Sequence, residues 1–250
     1  MTSPEKLLRI GDVPSFYDVY SEKRMADVPK ALFGIDEKIV SSSLITNQEM
    51  IKGYELTLGD GSNKTFYVKD CFHTGSLLEG LGWYLNNVLT GENWSYAIPQ
   101  LDDYTTDPSS ILMEAIPGRI FKNVGRKKRA SFNLGVASEL EMVLHLKDRN
   151  TGNLLVDGRG TIRHIDYECL FDEKDLITGA KVADAYGLSR RKFNKGRLSA
   201  HEAIRQRFID NKDDIKMVVD WVDEQIPFAS RPDVLNDPFA YMCDYLGVKR

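Results

Sequence analysis

Apolar and polar positions along the chain follow two regimes. The 38–45 run is β-branched and ends in polar residues, and 54–58 and 65–69 alternate strictly. Between them Gly59, Asp60, Gly61, Ser62, Asn63 and Lys64 supply turn chemistry, so the pair predicts a β-hairpin. Over 76–89 the spacing changes. Apolar side chains at 77, 78, 81, 84, 85 and 88 recur at the helical period. The runs 96–101 and 111–116 predict two further strands flanking a polar loop, and Pro117 with Gly118 marks a joint. Beyond the joint, 130–146 is helix-compatible, and 154–156 and 161–165 are short apolar runs about Asp157 and Gly158. The 200–226 stretch is strongly helical, and 238–246 predicts a last helix. A strand-rich first half and a helical last third predict an α+β chain. Its parts would be an N-terminal extension over 1–29, a small β-rich lobe over 30–116 and a larger helical lobe over 117–250, with a cleft between the lobes.

Composition narrows the class. The 250 residues carry 33 basic against 37 acidic side chains, a formal charge of −4, which argues against a dedicated nucleic-acid binder. Trp83, Trp94 and Trp221 are not interleaved with basic clusters, so base-stacking on single strands finds no support either. No run approaches the roughly 20 apolar residues of a membrane span, and the charged first twelve residues do not read as a secretory signal. Three widely spaced cysteines, Cys71, Cys169 and Cys243, suggest neither a disulfide framework nor a zinc site. The expectation is a reduced, cytoplasmic protein without a transmembrane segment.

The candidate chemistry lies in 145–166. Asp148, Asn153 and Asp166 flank two apolar runs able to pair as a hairpin. That hairpin would bring its loop ends to one rim, where two carboxylates and an amide oxygen converge. Hard oxygen ligands of this kind suit Mg²⁺ holding substrate phosphates. The first Asp of an Asp-x-x-x-x-Asn loop can instead orient a hydroxyl nucleophile, leaving Asn and the downstream Asp to the metal. Asp and Asn are also ordinary turn residues, so spacing by itself serves a turn-and-cap reading as well.

The fuller string carries more. Asp148, Arg149, Gly152, Asn153, Leu154, Leu155, Asp157, Gly160, His164, Ile165 and Asp166, in this order, resemble the catalytic and metal-binding loops of the phosphatidylinositol 3-/4-kinase superfamily. That family's pattern is approximately DRHxGNILLDxxGxIIHIDFG, and bacterial HipA-type kinases are similar at a greater distance. The resemblance implies a two-lobed protein-kinase-like fold and phosphoryl transfer with ATP and Mg²⁺. It gives Asp148 the acceptor hydroxyl, Arg149 a place in the same catalytic loop, and Asn153 and Asp166 the metal. Upstream, the 111–118 segment is similar to the family's interlobe hinge, which implies adenine contacts from Glu114, Ala115 and Ile116. Phe66, Tyr67, Val68 and Lys69 are similar to the strand that presents the phosphate-binding lysine, here Lys69. A lysine used this way needs a carboxylate to fix its flexible side chain. Glu79 on the next helix is the expected partner rather than Asp70, because adjacent strand residues point to opposite faces. Ser41, Ser42 and Ser43 loosely fit a phosphate-covering loop.

The chain departs from the pattern at Asn150, where the family has His, and at Tyr167 and Glu168, where it has Phe and Gly. Asn cannot shuttle a proton near neutral pH. His145 and His164 lie nearby and are expected as scaffold histidines. Without Gly at 168 a flexible backbone position is lost, which argues against a swinging metal loop. Two basic clusters complete the picture. One is Arg126, Lys127, Lys128 and Arg129; the other is Arg190, Arg191, Lys192, Lys195 and Arg197, where the resemblance would put the acceptor-facing segment. The second is expected as a solvated face or a site for an acidic partner. The expected reaction is transfer of the ATP γ-phosphoryl group to a hydroxyl, on a protein Ser/Thr first and on a phosphoinositide second. Protein AMP transfer and a nucleotide-binding pseudokinase acting as an interaction module are the alternatives.

Overall fold

The computed structural model describes residues 2–71, 75–100, 109–121, 130–146, 152–167, 170–171, 183–185, 187–230 and 234–250. Strands β1 (Ile10–Gly11), β2 (Ile39–Asn47), β3 (Ile51–Leu58), β4 (Asn63–Cys71), β5 (Tyr96–Pro99) and β6 (Ser109–Glu114) form one mixed sheet in the order β1-β5-β6-β4-β3-β2. β1 runs parallel to β5, and the other neighbours are antiparallel. The hairpin expected around Gly59 to Lys64 is β3-β4, and Gly61 turns its corner at φ +82°, a conformation glycine adopts without Cβ strain.

Strand alternation assigns the two faces. Tyr54 and Leu56 of β3 and Phe66 and Val68 of β4 point outward. A short first helix, α1 (Pro4–Leu7), leads into β1, and helices α2 (Phe16–Tyr20) and α3 (Val28–Phe33) follow. These bury Phe16, Val19, Val28 and Leu32 on the outward face. The 1–29 stretch thus supplies a strand of the sheet and one side of a core.

The inner face carries Lys69, Cys71 and Ile111 towards helix α4 (Gly75–Thr90). Leu77, Leu78, Leu81 and Leu85, which gave the helical period, are buried there. Beyond α4 lie α5 (Ser131–Val143), α6 (Arg190–Asp210), α7 (Lys212–Gln225) and α8 (Pro238–Leu246). One core runs from Leu81 and Leu85 to Leu140, Ile204, Phe208, Val218 and Met242, on both sides of the Pro117 joint in sequence. The 200–226 helical pattern is two helices, α6 starting ten residues earlier at Arg190 and α7 following a break at Asn211. Periodicity passes over that break because the apolar stripe continues through it.

A second, antiparallel sheet of β7 (Arg119–Ile120), β8 (Leu154–Val156) and β9 (Ile162–His164) lies in the order β7-β8-β9. Leu154, Val156 and Ile162 bury its apolar side on Leu134 and Ala137 of α5. Among the described residues no helix is long and apolar enough to cross a membrane.

Candidate active site

Three elements converge on one ammonium. β4 brings Lys69 to the inner face, α4 brings Glu79, and the chain leaving β9 brings Asp166. The Lys69 Nζ lies 3.3 Å from Glu79 Oε2 and 3.1 Å from Asp166 Oδ1. The Glu79 side chain is fully buried, and a charge taken out of water is tolerated only with close partners. It accepts from Trp83 Nε1 at 3.2 Å and from the Tyr167 backbone N–H at 2.9 Å. One carboxylate therefore fixes both the lysine and the chain immediately after Asp166. Asp166 keeps 35% of its side chain exposed against 11% for Lys69, so the cluster opens on the Asp166 side. Glu79, and not Asp70, stands beside Lys69. Asp70 lies on the outer face, where the Tyr17 hydroxyl donates to it at 3.5 Å.

The β8-β9 hairpin sets the second half of the site. Leu154 pairs with His164, and the Ile165 N–H donates to the Asn153 carbonyl at 3.2 Å. Half-buried Asn153 thus sits opposite the residue preceding Asp166. The turn is closed by Asp157, whose Oδ1 accepts from the Arg159 and Thr161 amides at 2.8 and 2.9 Å. Its Oδ2 accepts from Arg163 at 2.8 Å, and Arg163 also donates to Glu92 at 2.6 Å, just after α4. Burial opposes ionisation of Asp157, yet the Arg163 bond and the two amides hold its carboxyl down at about 2. Burial likewise works against the Arg163 charge, and the bonds to Asp157 and Glu92 outweigh it and raise the guanidinium's pKa. His164 is buried with Nε2 3.0 Å from the Ala137 carbonyl, and the His145 ring meets Tyr241 edge-on. Both are packed in the scaffold. Asp148, Arg149, Asn150, Glu168 and the 126–129 cluster lie outside the described residues.

At the hinge, the Glu114 N–H donates to the Ser95 carbonyl at 2.8 Å and the Ala115 N–H to the Thr65 carbonyl at 3.0 Å. The Glu114 carboxylate turns back and accepts from the Ser95 N–H at 3.0 Å, taking a donor that strand pairing would otherwise direct at the Glu114 carbonyl. Among the described residues, the Ile116 N–H makes no turn or loop backbone hydrogen bond. Ser41, Ser42 and Ser43 do not form a loop. They are exposed residues inside β2, paired with Thr57, Leu56 and Glu55. Serines at an edge strand face water on both sides, and their polarity mimics a loop. The second basic cluster is the start of α6. Arg190 pairs with Asp184 at 2.7 Å, while Arg197 is held by buried Glu139 at 2.9 Å and by the Tyr245 hydroxyl at 3.0 Å. Arg190, Arg191, Lys192 and Lys195 are its exposed members.

Asp166 and Asn153 offer one carboxylate and one amide oxygen. Among the described residues no group of three or more His, Cys, Asp or Glu side chains could hold a metal. That donor set fits Mg²⁺, which binds through one or two carboxylates and completes its shell with water and phosphate. Sequence reasoning missed Trp83, Tyr167 and Arg163, which brace the site. Tyr167 and Arg163 leave no sign in the pattern because they act across elements distant in sequence, whereas Trp83 lies four residues from Glu79 on α4, a spacing that could have revealed it. No protein-family model matches the chain, and no curated protein matches it in sequence.

Proposed function

We propose that the protein is an ATP-dependent phosphotransferase with a two-lobed, kinase-like arrangement hinged near Pro117, of the type the 148–166 string resembles. The observation that carries this reading is Lys69 held between Glu79 and Asp166. A buried carboxylate that aims an ammonium, with a second carboxylate on the open side, is the charge pattern needed to seat a polyphosphate against a divalent cation. Lys69 binds the phosphates, and Glu79 keeps its Nζ aimed. Asp166 and Asn153 hold Mg²⁺, which when bound neutralises charge on the transferring group. Asp148 orients the acceptor hydroxyl with Arg149 beside it. The Glu114 carbonyl and Ile116 N–H suit the amine and ring nitrogen of adenine. Positioning and charge neutralisation supply most of the rate enhancement in such a reaction. A protein Ser/Thr hydroxyl is the first choice of acceptor, and a phosphoinositide the second. A nucleotide-binding module without transfer is the competing reading, favoured by Asn150 and Glu168.

Mass spectrometry after incubation with Mg²⁺-ATP and a pool of Ser/Thr peptides tests the proposal. Addition of about 80 Da to chain or peptide, absent with Asp148→Ala and with Asp166→Ala, is the expected result. Adducts of about 329 Da would make the reaction AMP transfer. Phosphate transfer retained in Asp166→Ala would overturn the assignment.

A further inference from the structure

We infer that strand β2 is the interface between two copies of this chain, paired edge to edge and antiparallel about a two-fold axis at Ser42. The inference is independent of the phosphotransferase reading. The two edges of the six-stranded sheet are unlike. One is β1, two residues long, and so short an edge offers a second strand little to pair with. The other is β2, nine residues long. Among the described residues β2 has β3 on one side and no strand on the other. From Ile39 to Asn47 it carries neither a charged residue nor a proline, the residue types that keep an edge from pairing. Its apolar side chains also stand in water: Val40 is 68% exposed, and Leu44 and Ile45 are 49% exposed.

The order of side chains identifies the occupant as a second copy. Ile39, Val40, Ser41, Ser42, Ser43, Leu44 and Ile45 run apolar, apolar, three serines, apolar, apolar, the same pattern in either direction. A copy laid antiparallel with Ser42 opposite Ser42 sets Ser41 opposite Ser43, Val40 opposite Leu44 and Ile39 opposite Ile45. Apolar then meets apolar and hydroxyl meets hydroxyl, the cross-strand pairs that stabilise a sheet. Further out Lys38 faces Thr46 and Glu37 faces Asn47, so no like charges are opposed. Pairing of one edge with itself about a two-fold uses that edge on both copies and closes at a dimer. The register of β2 with β3 shifts between Ile39 and Ser41 and again between Leu44 and Thr46. The serine pairs lie in the regular run between these shifts. Bulges are also a device that turns an edge away from other strands, so the test includes the lone chain as an outcome.

Sedimentation velocity of the full chain, over concentrations reaching about 1 mM, tests this in wild type, in Ser42→Lys, in Ser42→Glu and in an equimolar mixture of the two variants. Ser42 is exposed, so both variants should melt at the wild-type temperature when dilute. The wild type is expected to pass from monomer to dimer as concentration rises. Each variant alone places two like charges directly opposite one another on the axis, and its dimer dissociation constant should weaken by about tenfold or more. The mixture opposes Lys to Glu and should recover dimers containing one chain of each kind. A wild type that stays monomeric throughout would overturn the interface. Variants that dimerise as the wild type does would overturn it in favour of another surface. A mixture that stays monomeric while the wild type dimerises would overturn the pairing about Ser42, and wild-type assemblies larger than a dimer would overturn the closed two-fold.

Discussion

Gly82 and Tyr167 compete for one volume: a Cβ built on Gly82 would lie 2.2 Å from Tyr167 Cβ and 2.4 Å from its Cγ. The Tyr167 ring is fully buried, meets Trp83 edge-on at 5.5 Å, and donates its hydroxyl to the His164 carbonyl at 3.4 Å. Its amide is held by Glu79. The residue after Asp166 is thereby fastened to α4 through both ring and backbone, which holds the chain beside Asp166 in one position.

Substituting Gly82→Ala tests that fastening. On an open helix face the change would stabilise by about 1 kcal/mol. Here the methyl group meets Tyr167 inside a packed core, and overpacking costs about 1–3 kcal/mol. A net loss of up to about 2 kcal/mol in urea denaturation is expected, with reduced nucleotide turnover. A more stable variant would show that the Tyr167 ring yields without cost.

Glu79 and Lys69 separate stability from chemistry. Glu79→Ala removes the acceptor for Lys69, Trp83 and Tyr167 at once, in a fully buried position. Breaking such a pair costs about 3–5 kcal/mol. Lys69→Met leaves Glu79 its indole and amide donors, so a smaller loss is expected, with phosphate transfer abolished in both variants. Denaturation midpoints and single-turnover assays check this. Equal destabilisation would mean the two neutral donors contribute little to holding the carboxylate.

How much of this was legible follows from the range over which each signal acts. Period-two alternation over 54–69 and the helical period over 76–89 are local, so the hairpin, α4 and the inward direction of Lys69 could be read directly. The pairing of Lys69 with Glu79 needs those two periods combined. Gly82 against Tyr167 leaves no periodic trace, because a glycine reports only that something comes close and not what. The helices of the first 33 residues are also silent. α2 and α3 are five and six residues long, too short to display a 3.6-residue stripe.

Asp157 gives the hairpin a pH dependence of definite sign. Its folded carboxyl titrates near 2 against an ordinary 3.8. A depressed folded pKa stabilises in full above the unfolded value, and the contribution is lost as pH falls from about 4 towards 2. At pH 7 it amounts to about 2 kcal/mol. Asp157→Asn keeps an oxygen for the Arg159 and Thr161 amides but loses the charge facing Arg163. The variant is expected to lose about that amount at pH 7 and to match wild type at pH 2. An undiminished gap at pH 2 would assign the effect to turn geometry.

The outward face of the sheet makes the strongest demand on the N-terminal residues. Tyr54, Leu56, Phe66 and Val68 are covered there by Phe16, Val19, Val28 and Leu32, and β1 supplies the edge beside β5. A chain beginning at residue 34 would expose that apolar face, and it is expected to show no cooperative thermal transition. Point changes grade the same claim. Leu32 is fully buried, so Leu32→Ala should cost about 2–5 kcal/mol. Lys30, on the solvent side of the same helix, should tolerate alanine within about 0.5 kcal/mol. A shortened chain that melts cooperatively at the full chain's temperature would show that the sheet and α4 suffice, and that the first 33 residues are a cover and not part of the fold.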